Sequence, residues 1–160
     1  MTIQIRTAEP RDVPTIVEFN ARMAEETEHL TLQRARLLPG VETVVADPAR
    51  GIYFVAVADG AVVGQLMITY EWSDWRNGTF WWIQSVYVRQ DFRKRGVFRS
   101  LYRHVHDLAR SREGVCGLRL YVEQENRRAQ DTYRSLGMRE TPYRMMEEDF
   151  VLGREGGSTA

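Results

Sequence analysis

The chain has a single cysteine, Cys116, so it can form no intramolecular disulfide and no cysteine-based zinc cluster. That scarcity fits a reducing, cytoplasmic location. Lysine is nearly absent: the 22 basic residues comprise Lys94 and 21 arginines, which makes acetylation of the protein's own lysines an unpromising theme. The three histidines, His29, His104 and His106, lack ligand spacing, so no metal is expected. The formal net charge is zero, which withholds global electrostatic support from nucleic acid or an anionic membrane as partner. No run of about 18 apolar residues exists, and Met1 to Arg6 lacks the basic and apolar regions of a signal peptide. A soluble, unexported protein is expected.

What is present is ordinary globular composition, with 43% hydrophobic and 28% charged residues. Ile3 and Ile5 alternate with polar residues in a short strand ending near Thr7. Glu9-Pro10-Arg11-Asp12 opens a helix carrying Val13, Ile16, Val17 and Met23 to about Ala24. A second helical stretch, Thr31 to Leu38, should stop at Pro39-Gly40, with another short helix over Val41 to Ala46. Ile52 to Val57 and Val62 to Tyr70 then read as strands joined by an Asp59-Gly60 turn. A loop from Trp72 to Gly78 leads to a third strand, Thr79 to Val88, completing an antiparallel meander.

Beyond that strand, Val97, Leu101, Val105 and Leu108 mark one face of a helix ending near Ser111. Leu118 to Val122 reads as a strand, Asn126 as the cap of a helix with Ala129, Tyr133 and Leu136 on its inner face, and Gly137 as its stop. Tyr143 to Val151 reads as a last strand. With no repeat and no low-complexity linker, residues 1–152 form one domain of mixed α/β (α+β) class, and 153–160 a flexible C-terminal tail.

The chemistry concentrates between Trp81 and Leu101. A buried strand there feeds a helix through the turn Arg93-Lys94-Arg95-Gly96-Val97-Phe98-Arg99. Gly96 allows a backbone conformation or a close approach that a side chain would prevent, and the first amides of the helix lack intrahelical partners. From Arg93 to Arg112 there are seven basic residues against one acidic residue, Asp107. A ligand with several phosphates suits such a turn, although one glycine is equally compatible with a solvated basic helix start.

Two motifs in order decide between these readings. Val86-Tyr87-Val88 followed by Arg93-x-x-Gly96, and then Asn126-x-x-Ala129-x-x-x-Tyr133-x-x-Leu136-Gly137-Met138, resemble the central motifs of the GCN5-related N-acetyltransferase (GNAT) superfamily. Arg6-Thr7-Ala8 with Asp12 resembles the family's opening. The resemblance implies the GNAT fold over residues 2–150: a mixed, mostly antiparallel central sheet flanked by helices, with splayed central strands. It implies acetyl-CoA as co-substrate, with the backbone of Val86 and Val88 along the pantetheine and the amides from Arg95 to Arg99 on the pyrophosphate. Arg93, Lys94, Gly96, Val97, Phe98, Asn126 and Ala129 belong to the same implied site. Phe98 and Lys94 depart from the family pattern, which has Gly or Ala at the first position and often a small residue at the second.

Tyr133 matches the family tyrosine that protonates the departing CoA thiolate, a task suited to a phenol. A core tyrosine is the alternative from spacing alone. The carboxylate that relatives often keep on the central strand is absent, since Gln84 and Ser85 stand there. Glu71 is the first candidate for general base, with Glu28, Glu26 and Asp74 behind it. Trp72 and Trp75 lie in the predicted loop, where exposed rings beside carboxylates could hold an amine by cation–π contact. With Glu28 and Gln84 they make up the candidate substrate residues.

The expected activity is acetyl transfer to a primary amine by direct attack in a ternary complex. A non-catalytic acyl-CoA sensor or assembly module is the rival. Nucleic-acid binding through the basic helix is weakened by the zero net charge. An exposed sheet edge would suit a homodimer.

Overall fold

The structure is a computed structural model that describes residues 1–152; the expected tail, 153–160, lies outside the described residues. The chain divides into two compact units, Met1–Leu120 and a second beginning at Tyr121.

The first unit is built on a five-stranded sheet in the order β1 (Gln4–Thr7), β2 (Ile52–Ala58), β3 (Ala61–Ser73), β4 (Gly78–Val88) and β5 (Val115–Arg119). Pairing is antiparallel from β1 to β4 and parallel between β4 and β5. The β2–β3 hairpin turns at Asp59 and Gly60, both with positive φ, as the two-residue turn expected there requires.

Alternation along β2 assigns the helices to opposite faces. Tyr53 and Val55 pack with Val13, Ile16 and Val17 of α1 (Val13–Glu28) and Val41 of α2 (Arg34–Ala46). Phe54, between them, meets His104 of α3 (Val97–Ser111) edge-on. Val97, Leu101 and Val105 of α3 are fully buried, a burial of the kind that contributes about 1.5–3 kcal/mol per side chain. Gly64 permits this packing, because a Cβ there would sit 2.9 Å from Val97 and 3.2 Å from the Tyr87 carbonyl.

Two helical stretches expected to break at Pro39-Gly40 form the single helix α2. Proline removes one backbone donor, but Leu37, Val41, Val44 and Val45 all pack toward the core and hold the helix through it. The first helix also runs beyond Ala24 to Glu28, ending at His29 in a left-handed conformation.

In the second unit, α4 (Arg127–Ser135) is capped as its sequence predicts: Asn126 Oδ1 accepts from Ala129 N at 3.1 Å. Gly137, with φ of 98°, terminates it, and the Met138 amide donates back to Tyr133 O at 3.1 Å. The expected strand from Tyr143 to Val151 does not form, and Tyr143, Met145 and Met146 are exposed. This unit holds no other strand among its described residues, so that segment has no ladder within it to join.

Candidate active site

Strand β4 is the centre of the site. Its parallel partner β5 is paired only with Thr79 to Trp82, so from Ile83 to Val88 the outer edge of β4 has no strand beside it among the described residues. On the other side, β3 is in register with β4 except at one bulge: Gln65 faces Tyr87, Met67 faces Gln84, and Leu66 faces both Ser85 and Val86. Ser85 has φ of 49°, in the left-handed region.

The hydrogen bonds fix which residues address the open edge. Arg89 N donates to Val63 O at 2.8 Å, toward β3. By strand alternation Tyr87 turns the same way, and Val86 and Val88 turn their amides and carbonyls outward. Those are the two residues assigned to the pantetheine.

The chain leaving β4 makes a concave array of amides. Lys94 has φ of 63° and Gly96 φ of 81°, two left-handed residues within three positions, a local geometry that turns successive N–H groups to one side. A Cβ on Gly96 would meet nothing within 4 Å, so its surroundings are open. The N-cap residue of α3 is Gly96, which has no side chain to cap it, and the helix's first backbone bond runs from Ser100 N to Gly96 O at 3.0 Å. The amides of Val97, Phe98 and Arg99 precede that bond, at the positive end of the helix. Phe98 is accommodated, half-buried with its ring 6.2 Å from Tyr102.

The arginines of this turn have distinct tasks. Arg93 donates from Nε to Val88 O at 2.9 Å and from Nη2 to Glu26 Oε2 at 2.7 Å, and its guanidinium lies 5.3 Å from the centre of the Tyr87 ring. Tyr87 in turn donates its hydroxyl to Glu26 Oε1 at 3.1 Å. Burial, then the Glu26 carboxylate, pushes the Tyr87 phenol above its ordinary value. Arg93 is therefore a clasp between α1 and the end of β4. Arg95 stacks on Phe92 from 5.1 Å, with Arg89 on the same ring at 4.6 Å.

The residues singled out for the amine do not converge on the bulge. Trp72 belongs to β3 rather than to a loop, opposite Thr79, and Trp75 sits in the turn beyond, 85% exposed. Glu71 faces Phe80, six residues before Val86, which at about 3.3 Å per residue separates it from the bulge by roughly 20 Å. Its carboxylate accepts a hydrogen bond from Arg119, whose guanidinium lies 3.7 Å from the Phe80 ring centre. Glu71 thus anchors Arg119 on the sheet. Gln84 lies next to the bulge and donates to Thr69 Oγ1. Glu28 is exposed on the last turn of α1.

In α4, Asn126 spends Oδ1 on its cap, leaving Nδ2 for other contacts. Tyr133 is half-buried, and burial raises its phenol pKa, so it carries its proton at neutral pH. Sequence reasoning passed over Gln65, Asn20 and Tyr53, which cluster behind the bulge. Their signal was a lone amide within the otherwise apolar run Val62 to Ile68.

Comparison with known proteins identifies the family. Residues 13–138 match the model of the Acetyltransferase (GNAT) family. The chain belongs to the GNAT acetyltransferases. A possible acetyltransferase from Clostridium difficile 630 shares 44% identity with this GNAT protein over 94% of its length and 99% of the other chain, with a TM-score of 0.87. The same fold recurs at 18% identity in AAC(6')-Iy in complex with the bisubstrate analogue CoA-S-monomethyl-acetylneamine, with 93% and 99% of the two chains covered and a TM-score of 0.74. It recurs again at 17% identity in a ribosomal-protein-alanine N-acetyltransferase from Brucella melitensis biovar Abortus 2308, with the same coverage and TM-score. No curated protein sequence matches it. Among the described residues, no helix is long and apolar enough to cross a membrane.

Proposed function

We propose that this GNAT protein transfers an acetyl group from acetyl-CoA to a primary amine by direct attack within a ternary complex. The observation that carries the reading is the open edge of β4, with outward-facing Val86 and Val88, running into the amide array from Lys94 to Arg99. An extended amide-bearing arm fits the first as an added strand, and a pyrophosphate fits the second. Bound acetyl-CoA supplies an activated acetyl thioester.

The chain's own residues do the rest. Backbone groups of Val86 and Val88 align the arm, and the amides of Val97, Phe98 and Arg99, with Lys94 nearby in sequence, hold the phosphates. Asn126 and Ala129 begin the helix that carries Tyr133. The Val86 N–H polarises the thioester carbonyl as the amine nitrogen bonds to its carbon. Tyr133 gives its proton to the sulfur as the carbon–sulfur bond breaks. The amine loses its own proton to water, because Glu71 is engaged far along the strand. Alignment of amine and thioester supplies much of the acceleration.

The test has two stages. Acetyl-CoA should raise the melting temperature, since it binds the folded state. Thiol release should then depend on an added amine, screened across amino acids, polyamines, aminoglycosides and peptide N-termini. Stabilisation with no release from any amine would favour the non-catalytic sensor.

A further inference from the structure

Gln65 is 0% exposed and sits on the α1 face of the sheet, opposite Val55 and Tyr87. Its Nε2 donates to the backbone carbonyl of Ser85 at 3.0 Å and toward Asn20 Oδ1 at 3.4 Å, while its Oε1 has no hydrogen-bond partner. Asn20 of α1 donates to the Tyr53 hydroxyl at 3.1 Å, completing a buried amide and phenol cluster. An orphaned carbonyl oxygen in a core disfavours the fold. An apolar residue of similar size would fill the same space without it. The carboxamide is therefore to be explained by what its N–H group holds.

It holds the backbone carbonyl of the residue at the bulge. The bulge puts Ser85 and Val86 together opposite Leu66, between residues that face β3. The Ser85 carbonyl and the Val86 N–H are the two ends of one trans peptide unit and point in opposite directions, so a Ser85 carbonyl turned to the open edge would turn the Val86 N–H away from it. A thioester oxygen arriving there would then meet an acceptor in place of a donor. With the carbonyl bound by Gln65 on the inner side, the N–H is the end of that peptide left to face the edge.

We propose that Gln65 is a positioning residue for acyl recognition: by binding the Ser85 carbonyl it holds Ser85 in its left-handed conformation and leaves the Val86 N–H as the donor that meets the acetyl oxygen. The proposal rests on the acetyl-CoA reading above and adds how this chain discriminates an acylated carrier from the free thiol. Gln65 touches neither; it acts through Ser85.

The test is calorimetric titration of the full-length protein with acetyl-CoA and, separately, with CoA, which lacks the carbonyl. Gln65→Met should weaken acetyl-CoA by about three- to tenfold, the value of one hydrogen bond, and leave CoA unchanged. Should the Met variant fail to fold, Gln65→Glu at pH 8, which keeps the length and loses the donor, should give the same split. Adding Ser85→Gly to Gln65→Met should restore acetyl-CoA affinity, because glycine adopts positive φ without a tether. Unchanged acetyl-CoA affinity, or equal weakening of both ligands as a merely structural role produces, would overturn the proposal. Wild-type protein that binds neither ligand would instead overturn the acetyl-CoA reading itself.

Discussion

Arg93 and Glu26 are 67 residues apart in the chain and joined by a 2.7 Å ion pair. Through it the last turns of α1 are tied to the point where β4 gives way to the amide turn. The same guanidinium holds Val88 O, and the same carboxylate receives the Tyr87 hydroxyl. An arginine that the family motif associates with phosphate is thus committed to a clasp.

The sign of a charge deletion separates the two roles. If Arg93 served phosphate, Glu26→Gln would release it and tighten acetyl-CoA. As a clasp, Glu26→Gln and Arg93→Met should each weaken acetyl-CoA several-fold. Both groups are half exposed, so each variant should cost only up to about 1 kcal/mol of stability. Binding titration and denaturant unfolding of both variants check this, and tighter binding by Glu26→Gln would refute the clasp.

Gly96 combines open surroundings with φ of 81°. Gly96→Ala meets no clash, so its cost is conformational, about 1–2 kcal/mol for forcing an L-residue left-handed. The variant should unfold at lower denaturant and bind acetyl-CoA about tenfold more weakly as the amides after it turn. Wild-type affinity in a folded Gly96→Ala protein would remove this turn from the phosphate site.

The order of elements as far as α4, α2 apart, the β2–β3 turn, the α4 cap and the glycine of the amide turn were legible because each depends on a local rule. Asp59-Gly60, Asn126 and Gly96 are residues whose own stereochemistry sets the chain's path. The substrate side was not legible, since it depends on register. Glu71 and Trp72 lie close in sequence to the central strand, yet antiparallel pairing carries them to the far end of the hairpin, opposite Phe80 and Thr79. Gln65 was hidden for a related reason: its partner is a carbonyl displaced by a bulge 20 positions away. The helix through Pro39 shows tertiary packing overriding a local breaker.

Placement of Glu71 on Arg119 yields a kinetic expectation. With an active amine in hand, Glu71→Gln should change turnover less than twofold, and the rate should still rise with pH as the amine loses its proton. A large fall in turnover confined to this variant, with the rise abolished, would restore Glu71 as the base.

Asp12 links pH to stability. It is 5% exposed and accepts two bonds from Arg6, at 2.7 and 3.0 Å, and one from Glu9 N at 2.7 Å. Burial opposes its ionisation, but Arg6 and the Glu9 amide outweigh that and lower its pKa below the ordinary 3.8. A depressed carboxylate stabilises the fold fully above its unfolded pKa and loses that contribution as pH falls through the folded one. Asp12→Asn should therefore cost about 2 kcal/mol at pH 7 and progressively less below pH 4, measured by denaturant unfolding across pH.

Tyr133 gives the most direct test of the chemistry. Burial raises its phenol, so the acid form persists through neutral and moderately alkaline pH. A proton donor to sulfur acts after the ligands are bound, so its loss should appear in kcat while KM for acetyl-CoA stays within about twofold. Tyr133→Phe keeps the ring and removes only the proton, and kcat should fall about a hundredfold, the lower range for a general acid. The wild-type rate should show no falling limb below about pH 10, the ordinary phenol value, because the folded value lies above it. Undiminished kcat in the Phe variant, with an active amine and saturating acetyl-CoA, would pass the proton to water and leave Tyr133 a packing residue of α4.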